Sequence, residues 1–370
     1  MTTPRAEDAG ALLAPRAEVA LLGGYHSPQI DVEVRLNTNE CPEPPPAGFT
    51  RALVAALADI DFHRYPDRSA TALRAAIAHR HSVRADQVFC ANGSNEVIQC
   101  LLLAYGGPGR SAVVFEPTYA LHSHIARLTD TRVIAGHRDE SFRVEVAQAR
   151  ATIEGAHALG QGSTPAVVFL CSPNNPTGGA ESRATVEAIC DLAPGLVAVD
   201  EAYGQFAPWS ALELLETQRK IVVIRTFSKT WAMAALRLGY LVADPAVVAA
   251  CERVALPYHL DAVKQAAGVL ALEYEPEMLA RVARIVEQRG RVVSALGELD
   301  VDVWPSDANF VLFRLRSGDG TEVWRRLLEH SVLVRDVSAW PGLEGCLRVT
   351  IGTPGENDRF LEALRESLTP

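Results

Sequence analysis

The chain has 370 residues and a formal net charge of -10, with no lysine-rich run. That length suits one large domain with a sizeable core plus a smaller one, and the lack of a basic stripe excludes a surface built to neutralise nucleic-acid phosphates. The seven cysteines (Cys41, Cys90, Cys100, Cys171, Cys190, Cys251, Cys346) show no CxxC spacing and are odd in number, so they read as reduced core thiols rather than a disulfide framework.

The first residues carry Arg5, Glu7 and Asp8 and have neither the basic nor the apolar region of a secretory signal. No apolar run reaches the ~18 residues of a membrane span. The expectation is a soluble, cytoplasmic protein without membrane or nucleic-acid partners. The proline-rich stretch 42–46 suits neither helix interior nor central strand, which makes the N-terminal segment an extended arm lying on the body.

From about Asp86 short β-rich runs alternate with helical stretches, the strands being expected at 87–91, 112–115, 132–135, 166–170, 196–199, 221–225 and 238–242. Continuous apolar strands of this kind predict an α/β fold, with a mainly parallel central sheet covered by helices on both faces. After about Leu270 two long amphipathic stretches (276–299 and 321–330), the apolar run 310–313, a strand at 346–351 and a helix at 356–367 predict a smaller α+β domain. The boundaries that follow are 1–48 for the arm with part of the small domain, 49–270 for the large domain and 271–370 for the small one.

Chemistry gathers after the strands, where open parallel sheets bind their ligands. Thr226-Phe227-Ser228-Lys229 puts a lysine at a strand end, with Arg237 two helical turns later, and desolvation there favours the neutral amine that attacks a carbonyl. Asp200, closing the run 196–199, is positioned to keep a pyridine nitrogen protonated, and Tyr203 and Asn175 are donors for a ring oxygen. Asn92-Gly93-Ser94-Asn95 joins a strand to an apolar helix. Gly93 permits close approach, and the amides of Ser94 and Asn95 offer an anion site that Ser228 and Arg237 complete. Tyr119 supplies an aromatic face for stacking. Singly, these would be a surface lysine, a helix cap, a Pro/Asn turn and a core tyrosine. In this order and spacing they specify a site for pyridoxal 5'-phosphate.

These motifs, with Arg35-Leu36-Asn37-Thr38-Asn39-Glu40, Arg64-Tyr65-Pro66-Asp67, Leu256-Pro257-Tyr258-His259-Leu260 and Val334-Arg335-Asp336, resemble the fold-type I pyridoxal phosphate aminotransferases, and within them the histidinol-phosphate aminotransferase family. The resemblance runs from about Gly24 to the C-terminus. It implies a homodimer in which Tyr65 reaches the neighbouring subunit's cofactor. It also implies that Arg335 and Arg348, on either side of the loop before the last strand, bind the substrate's anionic group with help from Tyr25. The implied reaction converts L-histidinol phosphate and 2-oxoglutarate to imidazole-acetol phosphate and L-glutamate. An aromatic or specialised-metabolism aminotransferase and a phospho-amino-acid decarboxylase remain open on the same scaffold. A regulatory module that binds the cofactor without turnover is disfavoured by the joint presence of Lys229, Asp200 and Arg237. Cys41, Trp231 and Asp261 depart from the residues usual in the family, and these departures are expected on the substrate side.

Overall fold

The computed structural model describes residues 28–158, 164–218 and 220–368. A short strand, β1 (Val34–Arg35), precedes a seven-stranded sheet made of β2 (Val88–Ala91), β3 (Arg110–Glu116), β4 (Arg132–His137), β5 (Thr164–Cys171), β6 (Leu196–Asp200), β7 (Ile221–Thr226) and β8 (Gly239–Ala243). The spatial order is β2-β8-β7-β6-β5-β3-β4. Pairings among β3 to β7 are parallel, while β8 runs antiparallel to both β2 and β7.

The apolar runs are continuous because both faces of this sheet are covered. Alternate side chains of β7 point to opposite faces. Val222 and Ile224 join Ala198, Phe169, Val97, Leu101 and Val247 in one core, whereas Ile221 and Val223 join Val197, Val199, Ile153 and Ile189 in the other. Helices Gly93–Tyr105, Ala120–Leu128 and Pro245–Val254 cover the first face, and Val146–Ala158 and Arg183–Leu192 the second. Each fully buried Val or Ile contributes about 1.5–3 kcal/mol, so substitution by a polar residue on either face would unseat the strand.

Register brings the chemistry to one edge. Cys171 lies opposite Asp200, Thr226 opposite Gly239, and Ala91 opposite Gly239. The ends of β2, β5, β6 and β7 and the start of β8 therefore share one rim, and the segments that leave this rim carry the polar motifs.

The remaining strands are β9 (Val301–Val303), β10 (Phe310–Leu315), β11 (Val332–Leu333), β12 (Arg335–Asp336) and β13 (Cys346–Thr350). An antiparallel sheet of order β12-β13-β10-β9 is accompanied by helices Glu275–Gly297, Gly320–Glu329 and Pro354–Leu368. The N-terminal segment is stitched to this part of the chain, because β1 pairs in parallel with β11 and Thr350 N donates to Leu36 O at 2.9 Å. Buried Arg281 adds a second tie, donating to Pro44 O of the arm and to Thr230 O just after the lysine. All seven cysteines are free, and all but the half-buried Cys41 are buried. Among the described residues no helix is long and apolar enough to cross a membrane.

Candidate active site

The chain has three lysines, Lys220, Lys229 and Lys264, and one of them faces the rim of the large sheet. Lys264 is engaged by Asp261 on the surface and Lys220 donates to Ala193 O. Beyond Thr226, whose hydroxyl accepts from Ser228 N at 3.1 Å, the chain turns and carries Lys229 into a cavity of about 370 Å³. Its Nζ donates to Thr38 O at 3.0 Å and lies 5.9 Å from the centre of the Tyr203 ring. Burial, helped by the Arg348 and Arg237 guanidinium groups, lowers its pKa to about 8 against the opposing pull of Glu40. Roughly a tenth of the amine is then neutral at pH 7, far more than an ordinary lysine offers for nucleophilic attack on a carbonyl.

Asp200 closes β6 at 1% exposure. Its Oδ1 accepts from Ala202 N at 3.0 Å and its Oδ2 lies 2.9 Å from His122 Nε2. His122 is fully buried, stacks on Phe169 at 4.6 Å and meets the edge of Tyr119 at 5.4 Å. Its Nδ1 has no hydrogen-bond partner among the described residues. The sequence reading missed His122, since nothing distinguishes a histidine inside helix Ala120–Leu128 until β5 and β6 fold beneath it. Tyr203 also faces the cavity, with burial raising its pKa well above the ordinary phenol value.

At another side of the cavity stand Ser94 and Asn95, in the first turn of helix Gly93–Tyr105, with Ser228 and Arg237. Close packing makes this corner possible. Gly93 has φ +78, and a Cβ there would sit 2.7 Å from Arg237 Nη2, while one on Gly239 would sit 2.4 Å from Ser94 N. Arg237 is not reached by two turns of α-helix, as the sequence suggested. The intervening chain is irregular apart from a 3-10 turn at Ala234–Leu236, and Arg237 itself has φ 53. That conformation brings Nη1 to Ser228 Oγ at 3.3 Å and to Ala234 O at 3.2 Å. Tyr119 donates its hydroxyl to Asn95 Oδ1 at 3.1 Å, which braces its ring beside the corner.

The opposite wall comes from the arm and the smaller sheet. Asn37, Thr38, Asn39 and Glu40 line the cavity together with Asn175 and Arg348. Arg348, 5% exposed on β13, donates to Asn175 Oδ1 and, at 2.8 Å, to Asn37 O, and its guanidinium lies 5.1 Å from the centre of the Phe310 ring. It and Arg335 stand on neighbouring strands of the smaller sheet, on either side of the loop that joins them. Arg335 is its direct neighbour across the β12–β13 ladder, but the cavity lining includes Arg348 and not Arg335. Tyr65 is 80% exposed and stacks on Tyr258 at 4.5 Å, outside the cavity of its own chain. Tyr25 lies outside the described residues.

Of the sequence departures, Cys41, Trp231 and Asp261 stand outside the lining of the cavity. Trp231 is buried against Phe227, and Asp261 caps helix Ala262–Glu273 by accepting from Lys264 N. Arm residues 37–40, to which sequence reasoning assigned no part, do line it, because β1 pairing and the Arg281 tie carry the arm there.

A buried amine, a buried carboxylate braced by an imidazole, two donors beside them and a helix N-terminus with a guanidinium fit a small aromatic aldehyde bearing a phosphate. Fold and site together define a pyridoxal phosphate-dependent enzyme of fold type I.

Comparison with known proteins narrows the class. The model of the aminotransferase class I and II family matches residues 31–364. Histidinol-phosphate aminotransferase from Frankia casuarinae is 47% identical over 364 residues, covering 94% of this chain and 88% of the relative. That of Thermobifida fusca is 48% identical over 347 residues, covering 92% and 91%. Among solved structures, histidinol-phosphate aminotransferase from Sinorhizobium meliloti in complex with pyridoxal-5'-phosphate superposes with a TM-score of 0.85 at 21% identity, covering 97% of this chain and 98% of that one. The chain belongs to the class I and II aminotransferases, and within them to the histidinol-phosphate aminotransferase family.

Proposed function

We propose that the protein transfers the amino group of L-histidinol phosphate to 2-oxoglutarate, giving imidazole-acetol phosphate and L-glutamate, a step of histidine biosynthesis. The observation that carries this reading is the convergence of buried Lys229, Asp200 and Arg348 on one cavity, in a chain 47% and 48% identical to relatives named for that reaction.

Ser94, Asn95, Ser228 and Arg237 would hold the phosphate of pyridoxal 5'-phosphate, with Gly93 permitting close approach and Tyr119 offering an aromatic face to the ring. Once bound, the cofactor supplies an aldehyde for covalent capture of an amine and a pyridinium ring that withdraws electrons from it. Asp200, oriented by His122 and Ala202 N, keeps the proton on the pyridine nitrogen. Tyr203 and Asn175 direct donors at the ring oxygen. Lys229 would anchor the cofactor covalently and, as a free amine, would take up the proton of the substrate carbon and return it, acting as the general base and acid. Arg348, with Arg335 beside it and Tyr25 from the arm, binds the substrate's anionic group by charge-assisted, fork-shaped contacts.

The working unit in this reading is a cytoplasmic homodimer in which Tyr65 completes the partner's site. Exposed Tyr65, Phe62 and Leu256 support an interface there. The proposed division of the chain remains 1–48, 49–270 and 271–370, with the arm shared between the two larger parts. Mixing the inactive variants Tyr65→Ala and Lys229→Ala should regenerate part of the activity, since one site of each mixed dimer carries neither lesion. Failure to complement after verified subunit exchange would confine Tyr65 to its own chain.

A panel of amino donors with 2-oxoglutarate tests the reaction. Histidinol phosphate should give the highest kcat/KM. A preference for phenylalanine or another carboxylate-bearing donor over histidinol phosphate would move the protein to an aromatic or specialised role.

A further inference from the structure

Asn39 sits where the arm passes between the two sheets. It is 1% exposed and has φ 54, a left-handed conformation that asparagine tolerates better than most side chains. Its polar groups are engaged on all sides. Backbone N donates to Thr350 Oγ1 at 3.0 Å, the Thr350 hydroxyl donates back to Asn39 Oδ1 at 3.0 Å, and Asn309 Nδ2 donates to Asn39 O at 3.1 Å. Asn39 Nδ2 then donates to Tyr203 Oη at 2.9 Å.

These contacts fix which way the amide points. Reversing it would leave Thr350 Oγ1 facing two N–H donors with no acceptor for its own proton, so the pairing with Thr350 holds the amide NH2 toward the tyrosine. A phenol oxygen that already receives a hydrogen bond turns its own proton elsewhere, and Tyr203 lines the cavity. Asn175 is oriented in a similar way, its Oδ1 accepting from Arg348 Nη1. Burial, the largest influence on Tyr203, keeps the phenol protonated and therefore a donor.

We propose that Asn39 is a positioning residue that commits the Tyr203 proton to the ring oxygen of the cofactor, relaying the position of Thr350 in the smaller sheet to the cofactor's electronics. The proposal rests on the pyridoxal phosphate reading of this site. When the nitrogen that joins Lys229 to the cofactor is unprotonated, the ring oxygen has no internal partner, so an external donor stabilises that form. Losing the donor raises the pH midpoint of the bound cofactor's visible absorbance change.

The experiment compares wild type, Asn39→Gly, Asn39→Asp, Tyr203→Phe and the double variant Asn39→Gly/Tyr203→Phe. Glycine keeps the positive φ without strain, so Asn39→Gly removes only the side chain. Aspartate inverts the bond, accepting the Tyr203 proton instead of donating. Two quantities are read: the pH midpoint of the visible absorbance, and the dissociation constant of pyridoxal 5'-phosphate from the apoenzyme, with circular dichroism verifying the fold. Asn39→Gly should raise the midpoint and weaken cofactor binding about two- to tenfold, the effect of one hydrogen bond. Asn39→Asp should approach Tyr203→Phe, and the double variant should match Tyr203→Phe alone. Wild-type values in Asn39→Gly and Asn39→Asp would overturn the proposal, as would a full additional loss in the double variant, which would make Asn39 a structural residue independent of Tyr203. A wild-type protein that takes up no pyridoxal phosphate would instead remove the reading beneath it.

Discussion

The two walls of the cavity hold their side chains differently. On the large-sheet wall each functional group stands within a few residues of a strand end that pairing within the sheet fixes: Asp200 closes β6, Ser228 and Lys229 follow β7, and Ser94 and Asn95 follow β2. On the other wall Asn37, Thr38 and Asn39 are held by hydrogen bonds to residues 164 to 311 positions away, namely Tyr203, Lys229, Arg348 and Thr350. Chemistry of the cofactor is thus built on a rigid rim. The opposite wall is a strap whose position depends on the smaller sheet, and damage to the two walls should have different signatures in kinetics.

The largest effect is expected on the rim. Lys229→Ala should abolish turnover while cofactor still binds noncovalently, because the phosphate corner and Asp200 are untouched. Gel filtration of the variant with pyridoxal phosphate, together with an activity assay, separates the two properties. Asp200→Asn should lower kcat by about 10²–10⁴-fold with a smaller loss of cofactor, since an amide cannot hold the pyridine proton. Near-normal single-turnover rates in that variant would assign the role to another residue.

The opposite wall should respond through donor preference. Arg348→Ala should lower kcat/KM for histidinol phosphate about 10- to 100-fold, as expected for a lost charge-assisted bond, and by less for unphosphorylated histidinol. Arg335→Ala should erase part of the same preference, and comparing the two variants sharpens the contrast between an arginine that lines the cavity and its ladder neighbour that does not. Equal losses on both donors would mean that the arginines bind no phosphate.

The smallest effect concerns pH. With the Lys229 pKa lowered to about 8 by burial and by Arg348 and Arg237, the reactive neutral amine is the minor form below that pH and the major form above it. Covalent capture of pyridoxal phosphate by apoenzyme should therefore quicken about tenfold between pH 7 and pH 9 and level off beyond. A rate still climbing steeply toward pH 10.5 would indicate a solvated lysine.

Much of the rim was legible in the chain because strand ends announce themselves: an apolar β-branched run followed by Asp200, or by Ser228 and Lys229, needs no distant information. Strand limits agree within a few residues for the same reason. His122 was not legible, since its meaning comes from β5 and β6 passing beneath a helix whose own pattern is merely amphipathic. The arm residues were visible as a motif without a role, because the bonds that place Asn39 run to Tyr203, Asn309 and Thr350. Trp231 and Asp261 show the converse. They stand out in the chain as departures from a family pattern, and packing against Phe227 and capping of a helix are the parts they take in the fold.

Reduction of the holoenzyme with borohydride, followed by peptide mass mapping, tests the central assignment most directly, because the chain offers three lysines to choose from. The buried, cavity-facing Lys229 should carry the reduced pyridoxyl group at about one per chain. Label on Lys220 or Lys264 in place of Lys229 would contradict the account.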